Sequence, residues 1–190
     1  TVMHVVPMFH VNSWGIPFSA VWLGATQVFP GPHFTPKILA ELIHSQRVTI
    51  TAGVPTVWIG LLQELKTGNY DISSLRCIGV GGSAAPKGMI RAYAEKYNVT
   101  IMHVYGATEM SPIVTVNKLK SYQQTQSFEN ILETRLKQGI PVPGVEMKVV
   151  HEQGEVLPNG KDAGEVLFRG PWITDGYYKD PARTVEAVKD

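Results

Sequence analysis

The sequence predicts an α/β fold in which a parallel sheet with flanking helices is followed by a small antiparallel β subdomain. In residues 1–116, short apolar runs alternate with amphipathic segments of about 10 to 15 residues, a pattern typical of parallel strands joined by crossover helices. From residue 139 onward, short β runs are separated by turn residues instead. We therefore expect an α/β subdomain at 1–116, a connecting loop and helix at 117–138, and part of a small β-barrel-like subdomain at 139–190.

Three helices of the first region are marked by their starting residues. The segment TPKILAELIHSQ has Thr35 as its N-cap and Pro36 at the first helical position. The next segment begins at Pro55, presents one apolar face and stops at Gly68. A third begins at Pro86. Further helices are predicted in ENILETRLKQG and in DPARTVEAVKD.

Strands are predicted wherever short apolar, β-branched runs lie between these helices. Those of the first region are TVMHVVPMF, VTIT, LRCIGV and VTIMHVY. Those of the second are VEMKVV, GEVLFRG and ITDGYY, with turn residues such as LPNGKDAG between them.

Composition excludes several classes of protein. The net charge is +1 without a basic run, so nothing indicates a nucleic-acid partner. Cys77 is the one cysteine, which rules out an internal disulfide and favours a reducing compartment. The first residues lack the basic region typical of a signal peptide, and no apolar run approaches about 20 residues. Because both ends lie within predicted elements, we expect the chain to be a piece of a longer protein.

The glycine-rich segment GVGGSAAP, residues 79–86, lies between a predicted strand and a predicted helix, where parallel sheets bind ligands. Its first interpretation is a dinucleotide fingerprint, because Gly79, Gly81 and Ala84 match G-x-G-x-x-G/A. Such a site needs an acidic residue near the end of the next strand. The first acid after that strand is Glu109, well beyond its end.

Two other interpretations of this segment compete with the fingerprint. Ser83 could be a strained nucleophile, with Glu109 and His151 following in the order of a hydrolase triad. The sequence interval is short for such a triad, and His151 falls in the β region. Alternatively, the segment is a backbone platform for a flat or anionic ligand, since glycines permit close approach and a helix N-terminus favours anions. The platform needs no catalytic serine and fits the residues best.

The segment YGATE follows the last predicted parallel strand. Tyr105 offers a flat face for a base, and Gly106 permits close backbone approach. Thr108 can donate to a phosphate oxygen, and Glu109 can hold Mg²⁺ together with substrate phosphates. The segment predicts half of a nucleoside triphosphate site, and its alternative is an ordinary polar turn with an exposed glutamate.

Four motifs in order carry a resemblance to a known family. They are VPMFHVNSWG, GGSAAP, YGATE and GEVLFRGPWITDGYYKDPART. Over essentially its whole length the chain resembles the adenylate-forming, or AMP-binding, enzymes. The HVNSW form is similar to that of medium- and long-chain fatty-acid–CoA ligases rather than aryl-acid ligases or luciferases.

The resemblance implies an activity and a set of site residues. Such enzymes join a carboxylate to ATP, giving an acyl-adenylate and pyrophosphate, and coenzyme A then displaces AMP. Glu109 is implied as the Mg²⁺ ligand and, with Thr108, as catalytic. The implied nucleotide-binding residues are Gly82, His103, Val104, Tyr105 and Thr108. Val11 and Trp14 are implied at the mouth of the acyl tunnel, with Trp14 as a gate. Tyr177 and Tyr178 are expected to be structural.

The resemblance also shows what this stretch of sequence lacks. The family's phosphate loop would precede residue 1, and its ribose-binding aspartate and catalytic lysine would follow residue 190. We therefore expect this chain to be inactive alone. The alternatives are a non-catalytic nucleotide- or acyl-binding module and a ligase that adenylates another carboxylic acid. For the full-length protein the resemblance implies fatty acid, ATP and CoA as partners, a homodimer, and a cytoplasmic location with peripheral membrane association as a variant.

Overall fold

The computed structural model describes residues 1–151, 154–155 and 162–188, except for the side chains of Val11, Asn12 and Glu155. The chain forms two compact units, one of residues 1–105 with 115–140 and the other of residues 106–114 with 141–190. This division differs from the three predicted parts. The expected connector at 117–138 belongs to the first unit, because its helix packs against the sheet and a neighbouring helix.

The first unit is built on a mainly parallel sheet, which confirms the predicted fold class. The strands are β1 (Val2–His4), β2 (Gln27–Val28), β3 (Ile50–Gly53), β4 (Cys77–Val80), β5 (Thr100–Tyr105), β6 (Thr115–Val116) and β7 (Ile140–Pro141). Their order is β2-β1-β3-β4-β5-β6-β7. The neighbours from β2 to β5 are parallel, whereas β6 is antiparallel to β5.

Six α-helices flank this sheet among the described residues. They are α1 (Val11–Trp14), α2 (Ile16–Trp22), α3 (Pro36–Gln46), α4 (Pro55–Thr67), α5 (Lys87–Tyr97) and α6 (Phe128–Arg135). The predicted start of α3 is confirmed, since the Thr35 hydroxyl accepts from the Ile38 N–H at 3.3 Å. The strand predicted at residues 1–9 is too long. Strand β1 ends at His4, three residues before Pro7, which has no N–H to donate to a neighbouring strand.

The core lies between the sheet and these helices. Helices α5 and α6 both pack against β5, and α4 packs against α3 and α5. The largest fully buried side chains are Trp58, Tyr93, Met3, Leu39, Ile43, Leu61, Leu75, Ile78, Ile101 and Leu132. Tyr93 joins two helices, because its hydroxyl donates to the Trp58 carbonyl at 2.7 Å.

The second unit contains a small antiparallel sheet. Its elements are β8 (Glu146–His151), β9 (Gly154–Glu155), β10 (Glu165–Arg169) and α7 (Pro181–Ala187), and the strand order is β10-β8-β9. Two predicted strands are confirmed, but the one predicted in ITDGYY is wrong, since residues 173–178 form bends and a turn instead. Residues 157–161 of the predicted turn lie outside the described part of the chain.

Helix length bears on membrane insertion. No helix in the described residues combines the length and apolar character needed to cross a bilayer.

Replacing Tyr93 by Phe tests the bond between α5 and α4. We expect Tyr93→Phe to lower the free energy of unfolding by about 1 kcal/mol, because a buried hydrogen bond is lost while the ring stays in place. Urea denaturation of the chain measures this. Tyr97→Phe is the matched control, since its hydroxyl makes a longer, part-buried bond of 3.3 Å to the Leu65 carbonyl. An equal loss of unfolding free energy in both variants would show that the buried Tyr93 hydrogen bond stabilises the chain no more than the part-buried Tyr97 bond.

Candidate functional site

The first part of the candidate site lies at one edge of the parallel sheet. Strands β3, β4 and β5 run in the same direction, so their carboxyl ends share this edge. Gly81 and Gly82 directly follow β4, and Tyr105 is the last residue of β5. The structure therefore brings the glycine-rich segment and the start of YGATE to neighbouring strand ends, as the sequence predicts.

Gly81 is required by space inside the protein. A Cβ added to Gly81 would lie 2.9 Å from the Trp14 Cη2 atom and 2.9 Å from the Val104 carbonyl oxygen. Three predicted site segments thus meet here: the Trp14 indole, the glycine loop and the end of β5. The glycine-rich pattern predicts close approach of a ligand at this position, whereas in the structure the close neighbour of Gly81 is the indole of Trp14.

Trp14 sits on an unusual backbone. Ser13 and Trp14 have φ values of 53° and 58°, in the left-handed region that residues with a Cβ rarely adopt. Ser13 is fully buried, and its hydroxyl donates to the Val6 carbonyl at 2.8 Å, which holds the turn in place. Backbone strain of this kind concentrates at functional sites. Ser13 was not predicted, although a serine within this apolar segment was a usable signal.

His103 has a structural task at this edge. It is 1% exposed, and its Nε2 accepts from the Ala85 N–H at 2.8 Å while Nδ1 lies 2.9 Å from the Arg135 carbonyl oxygen. This pattern places the ring proton on Nδ1, which donates to that carbonyl. The imidazole therefore ties the glycine-rich segment and the end of α6 to β5. Its predicted place in the lining of a nucleotide pocket stays a prediction.

Gly82 and Tyr105 are the accessible members of the predicted nucleotide-binding set in this unit. Gly82 is exposed, with a φ of 79°, and Tyr105 is 41% exposed. Val104 is half-buried, and its carbonyl faces Gly81. The side chain of Val11 lies outside the described residues, so its predicted acyl contact stays a prediction.

A largely apolar cavity of about 340 Å³ opens at the carboxyl end of β1. Its lining includes His4, Met8, Phe9, Phe29 and Phe34. The His4 ring stacks on Phe29 with 4.7 Å between centroids, and burial lowers the pKa of His4, so the imidazole is neutral at pH 7. Such a lining suits an apolar group better than a charged one.

The rest of YGATE belongs to the second unit. A Cβ on Gly106 would lie 1.6 Å from the carbonyl oxygen of Pro112, so the loop can fold back on itself only with glycine there. Thr108 and Glu109 then form a single 3₁₀ turn, Thr108–Met110. The Thr108 side chain is exposed. As at Gly81, the close approach that the glycine permits is made by the protein itself.

Glu109 is held by contacts from a distant part of this unit. Its carboxylate oxygen Oε1 accepts from the Tyr177 hydroxyl at 2.8 Å, and its carbonyl accepts from the Thr174 N–H at 2.8 Å. Hydrogen bonds from its own backbone N–H and from the Tyr177 hydroxyl lower the pKa of Glu109. The same bond to Glu109 raises the pKa of Tyr177. The carboxylate is therefore ionised and oriented.

Tyr177 was expected to be structural only, and its contact with Glu109 was missed. The two residues lie 68 positions apart, so no local pattern could reveal the bond. The Tyr177 N–H donates to the Thr184 hydroxyl at 2.9 Å, and the Arg183 guanidinium lies 4.8 Å from the centre of the Tyr177 ring. The tyrosine is thus fixed from its backbone and from its ring face.

The donor chemistry around Glu109 is compatible with magnesium. Within the described residues there is no cluster of three or more His, Cys, Asp or Glu side chains that could hold a metal. Mg²⁺ does not need one, because it prefers oxygen ligands and commonly binds one or two carboxylates together with substrate phosphates. The Glu109 carboxylate, with the exposed Thr108 hydroxyl one residue before it, fits such a shared site.

Comparison with known proteins gives consistent matches. The sequence model of the AMP-binding enzyme family matches residues 1–178. The chain is 45% identical over 188 residues to a long-chain-fatty-acid–CoA ligase from Thermus thermophilus, covering 98% of this chain and 35% of that protein. It is 42% identical over 187 residues to a medium-chain-fatty-acid–CoA ligase from Ectopseudomonas oleovorans, covering 97% of this chain and 34% of that protein.

Among solved structures, a long-chain-fatty-acid–CoA ligase from Archaeoglobus fulgidus is similar with a TM-score of 0.80 and 28% identity. The alignment covers 97% of this chain and 37% of that one. The chain thus spans about a third of the length of the curated relatives that it matches.

The two bonds of His103 can be tested by a single substitution. We expect His103→Leu to lower the free energy of unfolding by about 2–5 kcal/mol, because it leaves the Ala85 N–H and the Arg135 carbonyl without their buried partner. Hydrogen exchange should show faster exchange at the Ala85 amide. His44→Leu is the control, since His44 is exposed. Unchanged protection at Ala85 in a folded His103→Leu chain would contradict the assigned contact.

Proposed function

Because this chain belongs to the AMP-binding enzyme family, we propose that the full-length protein is an ATP-dependent fatty-acid–CoA ligase. It would join a fatty acid to ATP, release pyrophosphate, and pass the acyl group from AMP to the thiol of coenzyme A. One observation carries the proposal: the glycine-rich segment and Tyr105 end neighbouring parallel strands, the position at which α/β sheets bind nucleotides.

Family membership bears on the three interpretations of residues 79–86. It favours the backbone platform over a dinucleotide fingerprint or a nucleophile elbow at Ser83. In the structure, the His103 ring accepts a hydrogen bond from the Ala85 N–H of this segment. This bond fixes the conformation of the loop, which a backbone platform requires.

The nucleotide would be held by Gly82, just after β4, and by residues from His103 onward at the end of β5. We propose that Tyr105 stacks on adenine, with Gly82 and Val104 beside it, and that Thr108 donates to a phosphate oxygen. Glu109 would hold Mg²⁺, which when bound supplies positive charge that offsets the repulsion between the carboxylate substrate and the triphosphate. The protein's own task is to fix the two reactants for in-line attack.

The acyl chain would lie on the Trp14 side of the sheet edge. The support is the contact of the Trp14 indole with Gly81, which couples the proposed gate to the proposed nucleotide platform. The apolar cavity beside His4 and Phe29 offers a lining that suits a hydrocarbon chain. We propose that it receives part of the acyl group.

Two further properties of the full-length protein are proposed from the resemblance. They are a homodimer, and a cytoplasmic location with peripheral membrane association as a variant. Sedimentation and fractionation of the native protein address them.

The function is tested with the full-length protein, ATP, Mg²⁺, CoA and a series of carboxylic acids. We expect pyrophosphate release that depends on a medium- or long-chain fatty acid, followed by formation of the acyl-CoA. Turnover with a different acid only would identify another ligase of this family. Nucleotide binding without any pyrophosphate release would instead indicate a binding module.

Glu109→Gln tests the proposed metal ligand. In the full-length protein we expect adenylation to slow by roughly 10²-fold or more, the scale of losing a preorganised charge-stabilising group, while folding stays nearly intact. The thioester step from supplied acyl-adenylate should suffer less, since pyrophosphate has already left. Single-turnover assays separate the two half-reactions. Glu146→Gln, at an exposed position, is the matched control. Equal losses in both half-reactions would remove Glu109 from this role.

Trp14→Ala tests the proposed gate. We expect a changed KM for fatty acid or a changed chain-length preference, because the indole that contacts Gly81 is lost. A core role alone predicts a loss of about 3–5 kcal/mol in stability instead. Kinetics with acids of different length, combined with thermal melting, distinguish the two. Trp22→Ala is the control, since Trp22 is 90% exposed. A lower melting temperature without altered selectivity would show that Trp14 is only a core residue.

A further inference from the structure

Tyr177 and Glu109 form a hydrogen-bonded pair, and the proposed reaction gives a role to Glu109 alone. The tyrosine hydroxyl donates to the Glu109 Oε1 atom at 2.8 Å. Glu109 lies in a short 3₁₀ turn, so its side chain depends on such contacts for a fixed direction. Tyr177 brings the hydroxyl from a turn 68 residues away.

The turn that carries Tyr177 is itself constrained. The Thr184 hydroxyl accepts from the Tyr177 N–H at 2.9 Å and donates to the Asp180 carbonyl at 2.8 Å. The Thr174 N–H, from the same turn, donates to the Glu109 carbonyl at 2.8 Å. The turn therefore holds Glu109 by hydrogen bonds to both its backbone carbonyl and its carboxylate.

We propose that Tyr177 is a positioning residue that orients the Glu109 carboxylate toward Mg²⁺. The inference rests on the proposed function, because it takes Glu109 as the metal ligand. A single carboxylate is a weak magnesium ligand. The affinity of Glu109 for Mg²⁺ therefore depends on how well its side chain is oriented before the metal binds. Hydrogen-bonding partners of metal ligands do this, and their loss typically costs about 10- to 100-fold in metal affinity or activity.

The choice of a tyrosine suits this role. Its hydroxyl is neutral, so it orients the carboxylate without neutralising it, whereas a lysine or arginine on the same oxygen would compete with the metal for negative charge. Arg183 lies over the ring face of Tyr177, 4.8 Å from the ring centre, and its positive charge also favours the ionised form of Glu109.

The test is Tyr177→Phe in the full-length protein, read as equilibrium binding of ATP at increasing Mg²⁺ concentration. We expect the Mg²⁺ concentration for half-maximal binding to rise about 10-fold or more. The melting temperature should fall only slightly, because the ring stays in place and one part-buried hydrogen bond is lost. Tyr178→Phe is the matched control, because Tyr178 is 88% exposed and contacts Lys179 instead. A purely structural tyrosine would shift melting and leave the Mg²⁺ requirement unchanged.

Two further variants separate this inference from the proposed function. If Tyr177 acts through Glu109, the double variant Y177F/E109Q should need no more Mg²⁺ than E109Q alone. A changed requirement in E109Q but none in Y177F would overturn the positioning role and leave the metal ligand standing. No change in E109Q would overturn the metal ligand itself. A lower Mg²⁺ requirement in Y177F would show that the tyrosine holds Glu109 away from the metal, and would also overturn the inference.

Discussion

The imidazole of His103 is the contact on which the sheet edge depends. A buried N–H and a buried carbonyl each need a partner, and leaving either without one costs about 1–3 kcal/mol. His103 satisfies both from one side chain, because its two ring nitrogens face the Ala85 N–H and the Arg135 carbonyl. The loop after β4 and the end of α6 are thereby fixed to β5, and the geometry of the edge follows from that.

Crowding is the second constraint at this edge. A methyl group at Gly81 would collide with the Trp14 indole and the Val104 carbonyl, and one at Gly106 would collide with the Pro112 carbonyl. In both motifs the glycine makes room for the protein's own atoms. Motif glycines can therefore be obligatory for the shape of a site without touching a ligand.

The parts that the sequence predicts well are those whose signals are local. Proline and cap residues mark the starts of α3 and α4, and apolar runs mark β3 to β5, so a short window is enough. The turn at 173–178 was misread as a strand, because aromatic and β-branched residues favour strands while Thr174 and Gly176 bond each other across a tight turn. The contacts of His103 and Tyr177 were not predicted for another reason. Their partners lie 18, 32 and 68 positions away, and only the folded chain brings them together.

The pairing of Glu109 with a phenol has a consequence for the order of events. If Glu109 holds Mg²⁺ as proposed, its single carboxylate binds the metal weakly until the triphosphate supplies further oxygens. The Glu109 carboxylate must then be ionised and correctly oriented before the metal and the nucleotide bind. A hydroxyl donor provides this, because it stabilises the charged form yet leaves the charge to attract the cation. The metal and the nucleotide would therefore bind together to a Glu109 carboxylate that is already correctly oriented.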